Sequence, residues 1–449
     1  MVRNEFAGVV KNAVAGFGFY PELAMVTFPI DVFLTESDLS PIEQEIDKII
    51  EGLTGWEPKS KAQGRVKPSK VRVEGKNYED ALNNMNALFS RNLWSDGLPL
   101  LPPTEEHVSW ILRGTDFAPE TELGRLLPRS GIVTIETLAV SLAMAGGRPE
   151  YLPILMASVE AILDPSLKHQ KWQATSESLF PVVIVDGPVA EQIRLNSGFG
   201  LVGPHPGFPA GGSIGRALRL LQQNVGGALP GVGSMAQFGG MRYTNAVFAE
   251  DEEHLPPDWE PINVEYLGYP RGTNTVAVTI AGGVANIVRR GTGKETLDEE
   301  AITSLHIIAS YLRSFNVGCF DGYEDGTPGV LILSATIARQ MANLGWTKNR
   351  IKRFLWENSR TPLAEIRQNG LDRWIEFENL GYTLRDPWPI TSKPENLLIV
   401  VAGGMHPTNA YWMQSGMSPR VASAEVRLPK NWGKLLREAA TSVGPRSTS

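Results

Sequence analysis

The residues with most chemistry to offer cluster in Gly- and Pro-rich stretches, and the richest, from Ile193, reads "IRLNSGFGLVGPHPGFPAGGSIGRALRLLQQNVGG". Ser213 reads as a helix N-cap, after which Ile214, Ala217, Leu218, Leu221 and Val225 recur on one face at helical spacing. Arg216 and Arg219 then lie off that face in the first two turns, while Gly211, Gly212 and Gly215 leave backbone N–H groups approachable. Free N–H groups, the positive end of a helix and guanidinium groups together favour a small anion, carboxylate or phosphate. The competing reading is a capped helix whose arginines pair with acidic neighbours. No Gly-Lys-Ser/Thr closes the stretch, so it is not a P-loop.

The same stretch carries Arg194, Asn196, Ser197 and His205 in a loop too rich in Gly and Pro for regular structure. Such a loop within a folded unit is commonly functional or mobile. Pro204 and Pro206 restrict the backbone of His205 and would fix its ring as a proton donor or acceptor; a plain surface histidine is the alternative.

Other stretches add single candidates. In "NLWSDGLPLLPPTEEH", Asp96 is either a general base or amine ligand, or part of an ordinary Ser-Asp-Gly turn. In "AMAGGRPEYLP", Arg148 and Glu150 either clamp a carboxylate or tie two helices together. "VAGGMHPTNAYW" sets His406 and Asn409 beyond an apolar run, where open α/β sheets hold ligands.

"MRYTNAVFAEDEEHLPPDWEP" joins Arg242, Tyr243 and Asn245 to Glu250, Asp251, Glu252, Glu253 and His254. These are metal-ligating types, but consecutive acidic residues in a Pro-bounded loop are expected to be solvated, and no metal is expected. His306 is expected in the core, and Cys319 as a small buried hydrophobe. "DGYEDG" opens like a calcium loop and lacks its closing Glu. No cofactor is identified by any of these patterns.

The elements that must position these residues are of both kinds. Helices are expected over residues 5–14, 40–50, 79–91, 105–112, 134–145 and 150–163, with a short strand near "LAMVTFPI". "PVVIVDG", "TVAVTIAGG" and "NLLIVVAGG" read as buried strands. No repeat is visible, and the recurring Ala-Gly-Gly is taken as similar local geometry rather than duplication. The fold class is α/β: a large mixed α/β domain over 78–440 with buried strands and flanking helices, a linker over 56–77, a small α/β segment over 1–55 and a disordered tail over 441–449.

With 449 residues, 42% of them hydrophobic and 20% charged, the chain can bury a large core. A net charge of -7 with no Lys/Arg run argues against nucleic acid as a partner. No apolar run reaches the roughly 18 residues of a membrane span, and no signal peptide is legible, so a cytoplasmic setting is expected. The single cysteine excludes an intrachain disulfide. Some 55 residues without a disulfide or metal make a small core, so the N-terminal segment is expected to dock, on the rest of the chain or on another chain.

"NLWSDGLPLLPPTEEHV", "TLAVSLAMAGGRPEYLPIL", "GRALRLLQQNVGGALPG" and "NLGWTKNRIKRFLWENSRTPLAEIR" together resemble the large domain of bacterial proteins associated with the UGSC motif, selenocysteine or cysteine followed by Gly-Ser-Cys. The first segment, through "LTGWEPK", resembles the closing part of the UGSC module, which is itself similar to the selenoprotein substrate subunit of glycine-reductase-type enzymes. This chain contains no Gly-Ser-Cys. The resemblance implies either a split enzyme, in which a second subunit supplies the reactive Cys or selenocysteine and contacts residues 1–55, or a chain that has lost the reactive half and works alone or structurally.

Three functional expectations follow. The first is an enzyme subunit holding a small anionic substrate: Gly211, Gly212, Ser213, Arg216, Arg219, Arg194, Asn196 and Arg148 bind the anion, and His406, His205 and Asp96 move protons. The second is a self-sufficient lyase or hydrolase using the same groups. The third is a non-catalytic scaffold or binding subunit. In each case an oligomer is expected.

Overall fold

The fold is described from a computed structural model for residues 1–449, except 17, 18, 21, 35, 58, 60–69, 240–245, 290–293, 314–321, 374–380, 407, 408, 418, 419 and 443–449. Arg242, Tyr243, Asn245, Cys319 and most of the expected tail lie outside the described residues. The strands in chain order are β1 (Val2–Arg3), β2 (Thr27–Phe28), β3 (Glu122–Leu126), β4 (Gly131–Thr134), β5 (Phe180–Asp186), β6 (Ala246–Ala249), β7 (Thr275–Val288), β8 (Gly329–Leu333), β9 (Leu398–Val401), β10 (Asn409–Ser415) and β11 (Ala422–Glu425).

The chain is mixed α/β, and its main sheet runs β6-β5-β7-β10-β8-β9, with β11 added beside the first half of β7. The expected apolar runs form β5, the first half of β7 and β9; β5, β9 and residues 275–281 of β7 are buried on both faces, and the rest of β7 is largely exposed. Residues 182 and 184 of β5, 246 and 248 of β6, 330 and 332 of β8, and 398 and 400 of β9 point into one inner core. Their odd-numbered neighbours face outward. Those of β5 and β6 meet the helices Ile135–Met144, Leu152–Ile162 and Pro209–Asn224. Those of β8 and β9 meet Leu297–Leu312, Ala335–Asn343 and Lys348–Asn358. The sheet is thus curled around its inner core with helices outside both halves, and period-two alternation is what sorts each strand between them.

The strand order is palindromic. In one half β5 pairs in parallel with β6 and antiparallel with β7; in the other, β8 pairs in parallel with β9 and antiparallel with β10. The registers also correspond: Val182 stands opposite Ala246 as Val330 stands opposite Leu398. Each parallel pair is extended by one equivalent bond, Glu250 N–H to Val185 C=O (3.2 Å) and Ala402 N–H to Leu333 C=O (3.0 Å). The sequence follows the geometry, with "VVIVDGPVAEQI" from Val182 matched by "VLILSATIARQM" from Val330. Ile214, Arg216 and Leu218 likewise match Ile351, Arg353 and Leu355. The chain therefore contains two copies of one β-helix-β-β unit, contrary to the expectation of no duplication.

Ala-Gly-Gly is not the repeated element, and its two occurrences differ in geometry. Within β7, Gln414 pairs with Gly283 and Ser415 with Ala281, so Gly282 bulges out of the ladder. After β9, Gly403 and Gly404 form a turn with φ of 94° and 89°, a region that favours glycine.

The outer edges of β6 and β9 meet at their C-terminal ends, where Asp251 N–H donates to Val401 C=O (2.8 Å). This seam lies between the two copies. The N-terminal segment docks on the rest of the chain through its first helix, Ala7–Gly16, whose Asn12 amide donates to Gly227 C=O (3.1 Å). Helix 40–50 is expected as one piece and forms two, Ser40–Gln44 and Ile46–Thr54, and the latter buries none of its residues. At the other end, Trp432–Ser442 is helical across the expected start of the tail.

Candidate functional site

The stretch expected to bind an anion folds differently at its start. The helix begins at Pro209, with Phe208 as the preceding cap position, so Ser213 is an interior residue and not the N-cap. Pro suits a first helical position because its missing N–H would have no helical partner there. Gly211 is where the helix crosses β6: a Cβ there would lie 2.6 Å from the Val247 carbonyl oxygen. Gly212 faces Pro204, with an ordinary 3.4 Å spacing for a Cβ.

Arg216 is engaged by Asp96. Its Nε and Nη2 donate to the two carboxylate oxygens at 2.8 and 2.9 Å, and Nη2 also reaches the carbonyls of Leu98 (3.3 Å) and Pro99 (3.0 Å). The Asp96 side chain is only 2% exposed. A buried bidentate pair of this kind ties the 95–99 turn to the helix, and it leaves Asp96 as a structural partner rather than a base. Arg219 is buried, donating to Ala228 C=O (3.2 Å) and the Gln223 amide oxygen (3.4 Å). Three residues named for anion or proton chemistry are thus packing and pairing groups.

The loop before the helix is held by its own side chains. Arg194, at φ 58°, donates to Gly207 C=O (2.8 Å). Buried Asn196 accepts from Gly198 N–H (2.9 Å) and donates to Phe199 C=O (3.0 Å). His205 accepts the Gly207 N–H at Nδ1 (3.0 Å), which places the neutral ring's proton on Nε2. Arg148 pairs with buried Glu150 at 2.5 Å and lies over the Trp110 ring, the helix tie of the competing reading. Burial, and then the negative charge of Glu150, push the Tyr151 phenol well above its usual range, against the opposing pull of Arg148 and Arg194.

His406 is exposed on the turn after β9, and its carbonyl accepts the Ser334 hydroxyl (2.5 Å). The loop of His205 and the turn of His406 are brought together at the seam. Gly403 N–H donates to Ser197 C=O (2.8 Å), and the Phe199 ring packs where a Gly404 side chain would stand. His306 is exposed rather than in the core, edge-on to Phe354.

The acidic run behaves least as expected. Glu250 and Asp251 are buried, not solvated. Glu250 Oε1 accepts from Val401 N–H (3.2 Å) and Lys348 Nζ (3.4 Å), and Oε2 accepts from Ile262 N–H (2.7 Å). Beside it Asp186 is wholly buried at the end of β5, and among the described residues neither of its oxygens receives a hydrogen bond. Burial, and then the negative charge of Glu250, push the Asp186 carboxyl far above its ordinary value, so it is held protonated. Glu252 is raised by burial as well, against the opposing pull of its bond from Gly187 N–H (2.5 Å). Lys348 and Lys352 are buried around Glu265, which Lys352 contacts at 2.6 Å.

These buried charges escape a sequence reading because their cations come from the helix Lys348–Asn358, far along the chain. The available signal is an Asp closing an apolar strand, "VVIVD". His254 completes the seam: its Nδ1 lies 2.9 and 3.1 Å from the two oxygens of Asp251. No group of three or more His, Cys, Asp or Glu among the described residues is arranged to hold a metal. No family model, curated protein or solved structure matches this chain.

Proposed function

We propose that the chain is one subunit of a two-chain enzyme and that it receives its partner on residues 1–55. The observation that carries this reading is the helix Ile46–Thr54, which is amphipathic yet buries no residue and leaves Leu53 82% exposed. Ile46, Ile50 and Trp56 are exposed around it. Beside it a cleft of about 690 Å³ is lined by Glu22–Val26 on one wall and by Lys48, Glu51, Gly52, Gly55 and Trp56 on the other. Exposed apolar side chains recurring along one helix face, as Ile46, Ile50 and Leu53 do, are characteristic of interaction sites.

The family resemblance gives the partner its chemistry, a reactive Cys or selenocysteine, and a cytoplasmic setting belongs to the same proposal. No helix among the described residues is long and apolar enough to cross a membrane. A small carboxylate-type substrate would have to be held by groups other than Arg216 and Arg219, which are engaged within the fold.

Native mass spectrometry of the chain purified from its source tests the assembly. The expected result is a complex with a second polypeptide carrying a reactive Cys or selenocysteine, released by Ile50→Asp with Leu53→Asp at an unchanged melting temperature. A chain found only with itself, or a double variant that keeps the partner, overturns the reading.

A further inference from the structure

Buried oxygens without a hydrogen-bond partner gather at the carboxyl end of β5. Both carboxyl oxygens of Asp186, the Thr275 hydroxyl and the Asn263 amide oxygen are unpaired among the described residues, and all three side chains are wholly buried. Asp186 stands directly opposite Thr275 across the ladder of β5 and β7, and an opposed pair projects from one face of a sheet, here the inner one. Asn263 is brought to the same end by its amide. Its Nδ2 donates to Thr273 C=O (3.0 Å), and that oxygen lies 2.6 Å from where a Cβ on Gly187, the residue after Asp186, would stand. The same bond fixes which end of the amide is oxygen. Glu250 lies beside Asp186 and accepts from Ile262 N–H (2.7 Å), next to Asn263 in the chain.

The duplication shows why Asp186 is left over. Its equivalent in the second copy, Ser334, caps the following helix by accepting Ile337 N–H (3.3 Å). In the first copy the equivalent donor, Val189 N–H, goes instead to Asn274 (2.8 Å), so Asp186 is released from capping. The chain's own protons do not satisfy the group. A proton shared with Glu250 meets one oxygen of Asp186 and the Thr275 hydroxyl donates once, while the Asn263 oxygen and the carboxylates only accept. Nor does its charge balance. Lys348 answers Glu250 (3.4 Å), Lys352 answers Glu265 (2.6 Å), and Glu252 takes Gly187 N–H (2.5 Å) in the field of Arg271. An ionised Asp186 adds one negative charge that none of these cations faces.

We propose that Asp186, Thr275, Asn263 and Glu250 bind a dehydrated monovalent cation, sodium or potassium, at the carboxyl ends of β5 and β6. Carboxylate, hydroxyl and amide oxygens are hard donors that can replace the hydration shell of such an ion, and one unit of charge is what the group leaves unbalanced. Two of the four ligating groups are neutral, so the site differs from a cluster of three or more His, Cys, Asp or Glu. A bare sodium ion is smaller than a water molecule, and it enters as the chain folds. In its absence Asp186 keeps a proton, and ion and proton compete for one carboxylate. The second copy lacks the site, because Ser334 and Ala402 stand where the first has Asp186 and Glu250. This inference stands independently of the partner on residues 1–55.

Equilibrium urea unfolding of the full-length chain at pH 8 tests it, because the ion exchanges on unfolding and an ion bound only by the folded state raises stability with its concentration. Sodium or potassium chloride is expected to raise the midpoint to saturation, beyond the effect of tetramethylammonium chloride or magnesium chloride at equal ionic strength. Losing a group that merely orients a metal ligand costs about 10- to 100-fold in affinity, so Thr275→Val and Asn263→Leu are each expected to raise the half-saturating concentration by at least about 10-fold. Asp186→Asn is expected to abolish the specific response, and Ser334→Ala, at the equivalent place, to keep it. Circular dichroism and a cooperative transition establish that each variant is folded, and the comparison of salts on the wild type needs no variant. A midpoint that follows ionic strength whatever the cation, a saturable response to magnesium alone, or a sodium or potassium response undiminished in Asp186→Asn and Thr275→Val overturns the proposal.

Discussion

Arg216 and Asp96 show how a residue's type can be legible while its partner is not. A guanidinium in the first turns of a helix is equally suited to a substrate carboxylate and to a protein one, and the partner here lies 120 residues away. Removing Arg216 leaves the Asp96 carboxylate buried without its counter-charge, and breaking one side of a buried pair costs about 3–5 kcal/mol. Arg216→Met is therefore expected to lower the urea unfolding free energy by about that amount. A variant as stable as the wild type would return Arg216 to the list of residues held ready for a ligand. The same long-range pairing hid Glu250: an acidic run with no visible cation reads as solvated, and Lys348 is supplied by the other copy of the repeated unit.

At the scale of elements, the apolar runs of β5, β9 and the first half of β7 were legible because these residues are buried on both faces and include few polar ones to confuse the pattern. β6 was not, since four residues, "AVFA", pass straight into Glu250, Asp251, Glu252 and Glu253. The duplication was hidden because its copies agree mainly in apolar character and differ in the loops between helix and strand. The adjacent glycines of the Pro209–Asn224 helix permit a sharp prediction about one of these elements. Gly211→Ala places a Cβ 2.6 Å from the backbone oxygen of Val247, a clash costing about 1–3 kcal/mol that outweighs the gain in helix propensity of about 1 kcal/mol. Gly212→Ala meets only ordinary contacts and keeps the propensity gain. Melting temperature should fall for the first and rise for the second; two shifts of the same sign would mean the helix does not pack on β6 as described.

For the molecule as a whole, buried titratable groups in two separate places set opposite pH limits on stability. His169 lies in the helical layer outside β5, its ring tilted against that of Trp172, and burial depresses its pKa to about 4. Unfolding restores its ordinary value near 6.5, so between about pH 6.5 and 4 the unfolded chain takes up a proton that the folded chain refuses. Stability falls with pH through that window, by about 3 kcal/mol when complete. Asp186 acts in the other direction. Its folded carboxyl keeps a proton that the unfolded one releases near 3.8, so its contribution is full below that value and is lost as pH rises through the raised folded pKa. The two limits can be separated by urea unfolding from pH 4.5 to 8. His169→Gln should flatten the acid limb by about 2 kcal/mol of that contribution and leave the alkaline limb alone, because the two groups share no element and Asp186 lies at the seam between the copies. An acid limb as steep as in the wild type would locate acid sensitivity in the seam carboxylates instead, and the buried charges between the two copies would then be the molecule's weakest point.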